Sequence, residues 1–125
     1  MDVTVTVAAH GQDAGKVNPD LLRMIQEAAQ TMVEKNTQRG DGWRTTGIMG
    51  NFIDLHTCYC RVRGLVWENP PRIGDAVWEA DLRNALLDAR NYTLLIELAL
   101  EAGLVFGEAV NLTLACSRCG SVIGQ

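Results

Sequence analysis

The sequence predicts a mainly α-helical protein, on the basis of three amphipathic patterns separated by short interruptions. Apolar residues recur every three to four residues over about residues 18–35, 48–66 and 75–103, which is the spacing of one buried helix face. Short connections between three such helices favour an up-down unit, and its thin core favours a bundle completed by homo-oligomerisation. Alternating apolar residues at the two ends predict short β-strands within residues 1–9 and 108–125.

The boundaries of the first two helices follow from residues that begin or end helices. Asn18 precedes Pro19, so the asparagine can cap helix 1 and the proline occupies a first turn that needs no N–H from it. We expect helix 1 to end near residue 35. Helix 2 is expected to begin near Ile48 and to end before Pro70 and Pro71, because paired prolines cannot continue a helix.

The third pattern is the longest in the chain and has its own signals at both ends. Asp75 is the expected N-cap of helix 3, and Gly103 is the expected terminator. Beyond it, Leu112 and Leu114 alternate with polar residues before a tight turn, which indicates a strand or hairpin. The two strand-like termini are expected to pair within one chain or across a dimer, and both arrangements stay open.

Length and composition predict one domain over residues 1–125, with a helical core at about 18–103. The net charge of −4 argues against a general nucleic-acid binder, since such proteins cluster positive charge. No segment reaches the ~18 consecutive apolar residues of a membrane span. The N-terminus shows no basic region before an apolar block, so we expect a cytoplasmic protein whose four cysteines stay reduced.

The segment between helices 1 and 2 is the first candidate binding site. It combines two glycines with the residues Lys35, Arg39, Asp41, Trp43 and Arg44. Arginine offers a planar fork to phosphate or carboxylate, glycine lets a ligand approach the backbone, and tryptophan offers a stacking face. These residue types fit a nucleotide pocket, and they equally fit a polar connection between two helices.

Helix 3 carries a second candidate site, a line of polar residues at spacings of three, four and three. Asp81, Asn84, Asp88 and Asn91 therefore share one side of the helix. Carboxylates and amides one turn apart can hold Mg²⁺, which prefers oxygen ligands and keeps waters that a phosphate can share. The alternative is that this line is the solvated face of the helix.

Helix 2 contributes further candidate ligands. Asp54 lies among apolar neighbours, so a buried Asp54 would need a partner such as Arg61 or Arg83. His56 and Cys60 lie one turn apart and are able to share a metal ion. The competing interpretation is that the cysteines of this helix are small apolar core residues.

The C-terminal turn has the pattern of one zinc knuckle. Cys116 and Cys119 are separated by two residues and followed by Gly120, which permits the turn that brings backbone amides to the thiolates. Redox chemistry is expected less than metal binding, since the pair does not follow a strand and open a helix as it does in thioredoxin-like sites. One knuckle supplies two of four ligands, and the expected sources of the others are Cys58 and Cys60, His56 or His10, or the knuckle of a second chain.

Short motifs resemble the nucleotide modification associated domain family of phages and bacteria. They fall between about residues 20 and 100, as Lys35-Asn36, Gly40-Asp41-Gly42-Trp43-Arg44, Gly47, Gly50, Leu55, Arg61 and Leu87-Asp88-Ala89-Arg90-Asn91-Tyr92. That family is similar to the MazG-like nucleotide pyrophosphohydrolases, all-α enzymes that convert nucleoside triphosphates to monophosphates with Mg²⁺ held by helical carboxylates. The resemblance implies a nucleotide-handling protein of a bacterial or phage-infected cell.

The resemblance also implies roles for particular residues. Catalytic Asp54 and Asp88, with Asp81 or Glu34, would hold Mg²⁺ while a metal-bound water attacks a phosphoryl group. The implied nucleotide-binding residues are Lys35, Arg39, Asp41, Trp43, Arg44 and Asn91.

The chain also departs from these families. Arg39 stands where the family has an aromatic residue, and Asn84 stands where the enzymes have a glutamate. A non-catalytic module that binds a nucleotide or a protein, and a structural protein assembled through a zinc knuckle, are therefore the competing functions.

Overall fold

The structure is a computed structural model, and it describes residues 2–6, 16–108 and 113–124. It confirms the mainly helical fold. The elements, in order, are α1 (Pro19–Arg39), α2 (Trp43–Val66), α3 (Ala76–Glu101), β1 (Thr113–Ala115) and β2 (Val122–Gly124). They form two compact units, Met1–Gly40 and Asp41–Gln125. The single-domain organisation and the oligomeric bundle stay predictions.

The first unit contains α1, whose N-terminus has the predicted cap. The Asn18 side chain accepts hydrogen bonds from the backbone N–H groups of Asp20, at 2.8 Å, and Leu21, at 3.4 Å. The helix extends to Arg39, about one turn further than the apolar pattern indicated. Lys35 and Arg39 therefore lie on the last turns of α1 rather than in a loop.

The N-terminal segment of the first unit is not the strand that its alternating valines predicted. Residues 2–6 have no strand partner, and their backbone is bound by two side-chain amides of α1. The N–H groups of Val3 and Val5 each donate to a glutamine oxygen at 2.6 Å, from Gln30 and Gln26 respectively. Gln26 also donates to the Val3 carbonyl. Val7, the last valine of the pattern, lies outside the described residues.

The second unit begins with α2, which contains a non-helical residue near its start. Gly47 has φ 64° and ψ −152°, and the regular helix runs from Ile48, where the sequence predicted its start. The segment after α3 crosses the chain here: the N–H groups of Ile48 and Met49 donate to the carbonyls of Leu104 and Val105, both at 2.8 Å. These bonds satisfy helix-start donors that would otherwise lack partners.

Helices α2 and α3 form an antiparallel pair that contains most of the core. The Asp75 side chain caps α3 as predicted, accepting from the N–H groups of Val77 and Trp78. The Trp78 indole N–H donates to the carbonyl of Leu65 at 3.0 Å, which joins the start of α3 to the end of α2. The buried apolar side chains of this pair are Ile53, Cys58, Trp78, Ala85, Leu95 and Ala99.

The predicted C-terminal strand is a small hairpin. β1 and β2 are antiparallel, with Leu114 opposite Ile123, so the tail pairs with itself. The hairpin also contacts α2. Among the described residues, none of the helices combines the length and the apolar character that crossing a bilayer requires.

Candidate metal centre

Four side chains of the second unit bring their ligand atoms together between α2 and the hairpin. The nitrogen of His56 and the sulfurs of Cys60, Cys116 and Cys119 all lie within 4.8 Å of one another. Within residues 2–6, 16–108 and 113–124, this is the one group of three or more histidine, cysteine or carboxylate side chains so arranged. The cluster is therefore the strongest candidate site in the described chain.

Helix α2 supplies two of these side chains because they are four residues apart. Side chains at positions i and i+4 lie one above the other on a helix, so His56 and Cys60 point the same way. Their ligand atoms, Nε2 of His56 and Sγ of Cys60, are 3.7 Å apart. The rings of Phe52 and Tyr59 are stacked with the imidazole of His56, at centroid distances of 6.3 and 5.9 Å respectively.

The hairpin supplies the other two side chains from its turn. Two backbone hydrogen bonds hold the turn, from the N–H of Cys116 to the carbonyl of Ser121 and from the N–H of Gly120 to the carbonyl of Cys116. Gly120 has φ 75°, a conformation that glycine adopts without strain. The turn places Sγ of Cys119 3.1 Å from Nε2 of His56, which connects the two halves of the cluster.

Hydrogen bonds to the two hairpin sulfurs favour their ionised form. The Thr57 hydroxyl, 3.2 Å from Cys116 Sγ, lowers the pKa of Cys116, and the N–H groups of Cys119 and Arg118 add to this effect. The Ser121 hydroxyl, 3.1 Å from Cys119 Sγ, and the Ser121 N–H lower the pKa of Cys119 to about 7. Both hairpin thiols therefore ionise more readily than an ordinary cysteine, and the thiolate is the form of cysteine that binds metals.

The thiol on the helix behaves differently. Burial raises the pKa of Cys60 to about 11, and hydrogen bonding with the sulfurs of Cys119 and Cys116 adds to this effect. A bound cation reverses this preference, because its charge stabilises a coordinating thiolate. Without a metal ion, Cys60 is thus a protonated thiol at neutral pH. When it coordinates a metal ion, it is a thiolate.

Two of the spacings between the ligand atoms lie near those of tetrahedral coordination. With Zn–S distances of about 2.3 Å and Zn–N distances of about 2.0 Å, ligand atoms of a tetrahedral site are about 3.5 to 3.8 Å apart. The distances from His56 Nε2 to the sulfurs of Cys119 and Cys60, 3.1 and 3.7 Å, lie close to that range. The cluster can therefore hold a metal ion such as zinc.

Three of the predicted zinc ligands are in the cluster and one is not. Cys60, Cys116 and Cys119 converge, and His56 completes the set as one of the predicted alternatives. Cys58 is buried outside the cluster, because residues two apart on a helix point about 200° apart. His10, the other histidine considered, lies outside the described residues.

The residues predicted to bind a nucleotide are distributed over both units. Lys35 and Arg39 belong to the last turns of α1, Asp41 is exposed in the following turn, and Trp43 opens α2. The Arg44 guanidinium lies 5.2 Å from the Trp43 ring centroid, and its Nε donates to Glu108 at 2.7 Å. Arg44 is therefore already paired with a carboxylate.

The carboxylates predicted to bind Mg²⁺ do not gather in the second unit. Asp54 and Asp81 are exposed, and neither belongs to a group of three potential ligands among the residues described. Oδ2 of Asp88 lies 3.3 Å from Nη1 of Arg61, which is one of the two arginines predicted as partners of Asp54.

Two further residues of the predicted site have other surroundings. Asn91 is buried, with 2% of its surface exposed, which differs from the solvated face considered for its side of α3. Glu34, in the first unit, accepts a hydrogen bond from Gln30 at 2.7 Å. Binding of Mg²⁺ by these residues stays a prediction.

Comparisons with protein-family models, curated proteins and solved structures find no match to this chain. The resemblance to nucleotide-modification proteins therefore stays a prediction from short motifs. The candidate metal centre is supported by the geometry of this chain alone.

Proposed function

We propose that this protein is a zinc-dependent helical module in which one Zn²⁺ ion fastens the C-terminal hairpin to α2. The supporting observation is the convergence of four ligand atoms from two elements far apart in the sequence, His56 and Cys60 on α2 with Cys116 and Cys119 on the hairpin. The small hairpin buries too little apolar surface to be held on α2 by that burial alone. A metal ion bound there would supply the link between the two elements.

The donor atoms favour zinc over hard cations, which prefer oxygen ligands. Three sulfurs and one imidazole nitrogen form a soft set, whereas Mg²⁺ and Ca²⁺ prefer carboxylate, carbonyl and water oxygens. Zinc sites with four protein ligands of this Cys₃His composition are structural, because catalytic sites leave one position for water or substrate. We therefore assign the metal a structural role.

The hairpin has a physical need for such an ion. Its strands are three residues long, and a two-stranded hairpin alone is at best marginally stable in water. Cys116 is its buried side chain, while Leu114 and Ile123 are half-buried. Structural zinc contributes about 10–16 kcal/mol in zinc-finger peptides at neutral pH, which exceeds what these few contacts supply.

The test is zinc content in matched cysteine variants. Protein expressed with zinc and desalted is expected to hold one zinc per chain by plasma mass spectrometry. Cys60→Ser and Cys116→Ser should lose most of it, whereas Cys58→Ser should keep it, since Cys58 lies outside the cluster. Substitution with Co²⁺ should give the strong visible bands of tetrahedral thiolate coordination in the wild type and in Cys58→Ser only.

Two results would overturn this function. One is a wild-type protein that binds neither zinc nor cobalt while its circular dichroism shows folded helices. The other is equal zinc content in Cys58→Ser, Cys60→Ser and Cys116→Ser, which would place the ion elsewhere. Nucleotide handling remains a separate prediction, and a panel of nucleotides read by thermal shift and by product release tests it independently.

A further inference from the structure

The ligands of the metal centre differ in their access to solvent. Cys119 is exposed, Cys60 is half-buried and Cys116 is buried, with 2% of its surface exposed. The turn residues beside Cys119, from Ser117 to Gly120, are exposed as well. Among the three cysteines of the cluster, Cys119 is therefore the residue most accessible to a small dissolved oxidant.

Cys116 is well placed to react with an oxidised Cys119. The two residues lie three apart in a turn that the hydrogen bond from the Gly120 N–H to the Cys116 carbonyl closes. Disulfides span Cα–Cα distances of about 4.4 to 6.8 Å, a range that residues three apart in a turn commonly occupy. Their sulfurs belong to a cluster in which all ligand atoms lie within 4.8 Å of one another.

We propose, on the basis of the zinc site inferred above, that Cys116 and Cys119 are a site of reversible oxidation by peroxides that releases the metal. The Cys119 thiolate attacks one peroxide oxygen and breaks the O–O bond, giving a sulfenic acid and hydroxide. The Cys116 thiolate then attacks the Cys119 sulfur and displaces a second hydroxide, which forms the disulfide. Two thiolates are oxidised by two electrons in total, and one peroxide is reduced.

This reaction removes both hairpin ligands at once. His56 and Cys60 remain, and two ligands are too few for the four-coordinate zinc of a structural site. Zinc then leaves, and the hairpin loses its link to α2. A thiol reductant reverses the reaction by reducing the disulfide, after which zinc can bind again.

Trypsin provides a sharp readout because it cuts after Arg118, between the two cysteines. Complete cleavage at Arg44, Arg61, Arg90 and Arg118 yields peptides 45–61, 91–118 and 119–125, which carry Cys58 with Cys60, Cys116, and Cys119 respectively. A Cys116–Cys119 disulfide joins peptide 91–118 to 119–125. A Cys60–Cys119 disulfide would instead join 45–61 to 119–125, so mass spectrometry separates the two products.

The experiment begins with measurement of zinc in the purified protein, followed by titration with hydrogen peroxide in the presence of a chromogenic zinc chelator. We expect one released zinc for each linked pair of peptides 91–118 and 119–125, and recovery of zinc binding after reduction. Cys58→Ala should behave as wild type. The inference is overturned by zinc that stays bound through oxidation, by release without this disulfide, by a disulfide through Cys60, or by release that reduction does not reverse.

The first measurement distinguishes the two proposals. A protein without zinc at the start overturns the zinc-dependent function together with the release reaction. A protein that holds one zinc and resists peroxide overturns only the oxidation, and leaves the structural metal in place.

Discussion

The Thr57 hydroxyl lies 3.2 Å from the sulfur of Cys116 and 3.1 Å from the carbonyl oxygen of Ile53. A hydroxyl has one proton to donate, so the sulfur and the carbonyl compete for it. When Cys116 is a thiolate, its charge makes it the stronger acceptor. Thr57 thus connects the metal centre to the middle of α2.

Replacement of Thr57 by valine should weaken zinc binding. Valine has nearly the same shape as threonine, so the change removes the donor to Cys116 and leaves the packing in place. Outer-shell partners of metal ligands typically contribute about 10- to 100-fold to affinity, and we expect a loss of that size. Competition with a chelator of known affinity measures it. Thr57→Ser, which keeps the hydroxyl, is the control, and equal affinity in both variants would contradict the role of this hydrogen bond.

Removal of the metal should release the hairpin and leave the helical pair intact. The Cys116 and Gly120 N–H groups are protected by bonds within the hairpin turn, so they should exchange faster after chelation. The N–H groups of Ile48 and Met49 should stay protected, because they are bonded to the segment after α3 and not to the hairpin. Hydrogen exchange measured by mass spectrometry on zinc-loaded and chelated protein tests both parts. Uniform deprotection would show that the metal supports the whole unit, and no change would show that it supports none of it.

The close crossing at Gly47 predicts a large effect of one added methyl group. A Cβ at this position would overlap the carbonyl oxygen of Leu104 and the backbone of Gly107, and Gly47 has a positive φ as well. Gly47→Ala should therefore destabilise the protein by about 2–4 kcal/mol, since strain and backbone overlap both oppose it. Denaturant unfolding gives the value.

Gly64→Ala is the matched control for this substitution. Gly64 lies within α2, where an added Cβ meets no atom closer than 3.9 Å. Alanine favours a helix over glycine by about 0.8–1.0 kcal/mol, so this variant should be neutral or more stable than wild type. Similar stabilities of the two variants would mean that the crossing gives way at little cost.

The helices could be predicted from sequence because their signals are local. Asn18, Pro19 and Asp75 act on neighbouring backbone groups, and their roles as helix starts are confirmed. The kink at Gly47 could not be predicted in the same way, since it lies against a carbonyl of Leu104, far along the chain. The predicted N-terminal strand was wrong for a similar reason. Alternation of apolar and polar residues indicates a surface suited to a β-sheet, but it does not indicate whether a partner strand is present.

The metal centre was predictable only in halves. Cys116 and Cys119 form a recognisable knuckle, and His56 and Cys60 have helical ligand spacing, so each pair was visible as a pattern. Which pairs meet is decided by the packing of the hairpin on α2, which sequence spacing does not encode. Cys58 and Cys60 are close in sequence, but a helix turns the two side chains to different sides.

The half-buried pair of Arg61 and Asp88 predicts a measurable link between α2 and α3. The Arg61 guanidinium lies 3.3 Å from the carboxylate, and each side chain is 27% exposed, so solvent screens the pair only in part. We expect Arg61→Met and Asp88→Asn to show a coupling energy of about 0.5–1.5 kcal/mol in a double-mutant cycle, above the typical value for fully exposed pairs. The exposed pair of Arg23 and Glu27 on α1, replaced in the same way, is the control and should couple more weakly. If the Arg61–Asp88 coupling were no larger than that of the control, the pair would be a surface contact without energetic weight. The coupling energy of Arg61 and Asp88 should also decrease less at high salt than that of Arg23 and Glu27, because salt screens partly buried charges less than exposed ones.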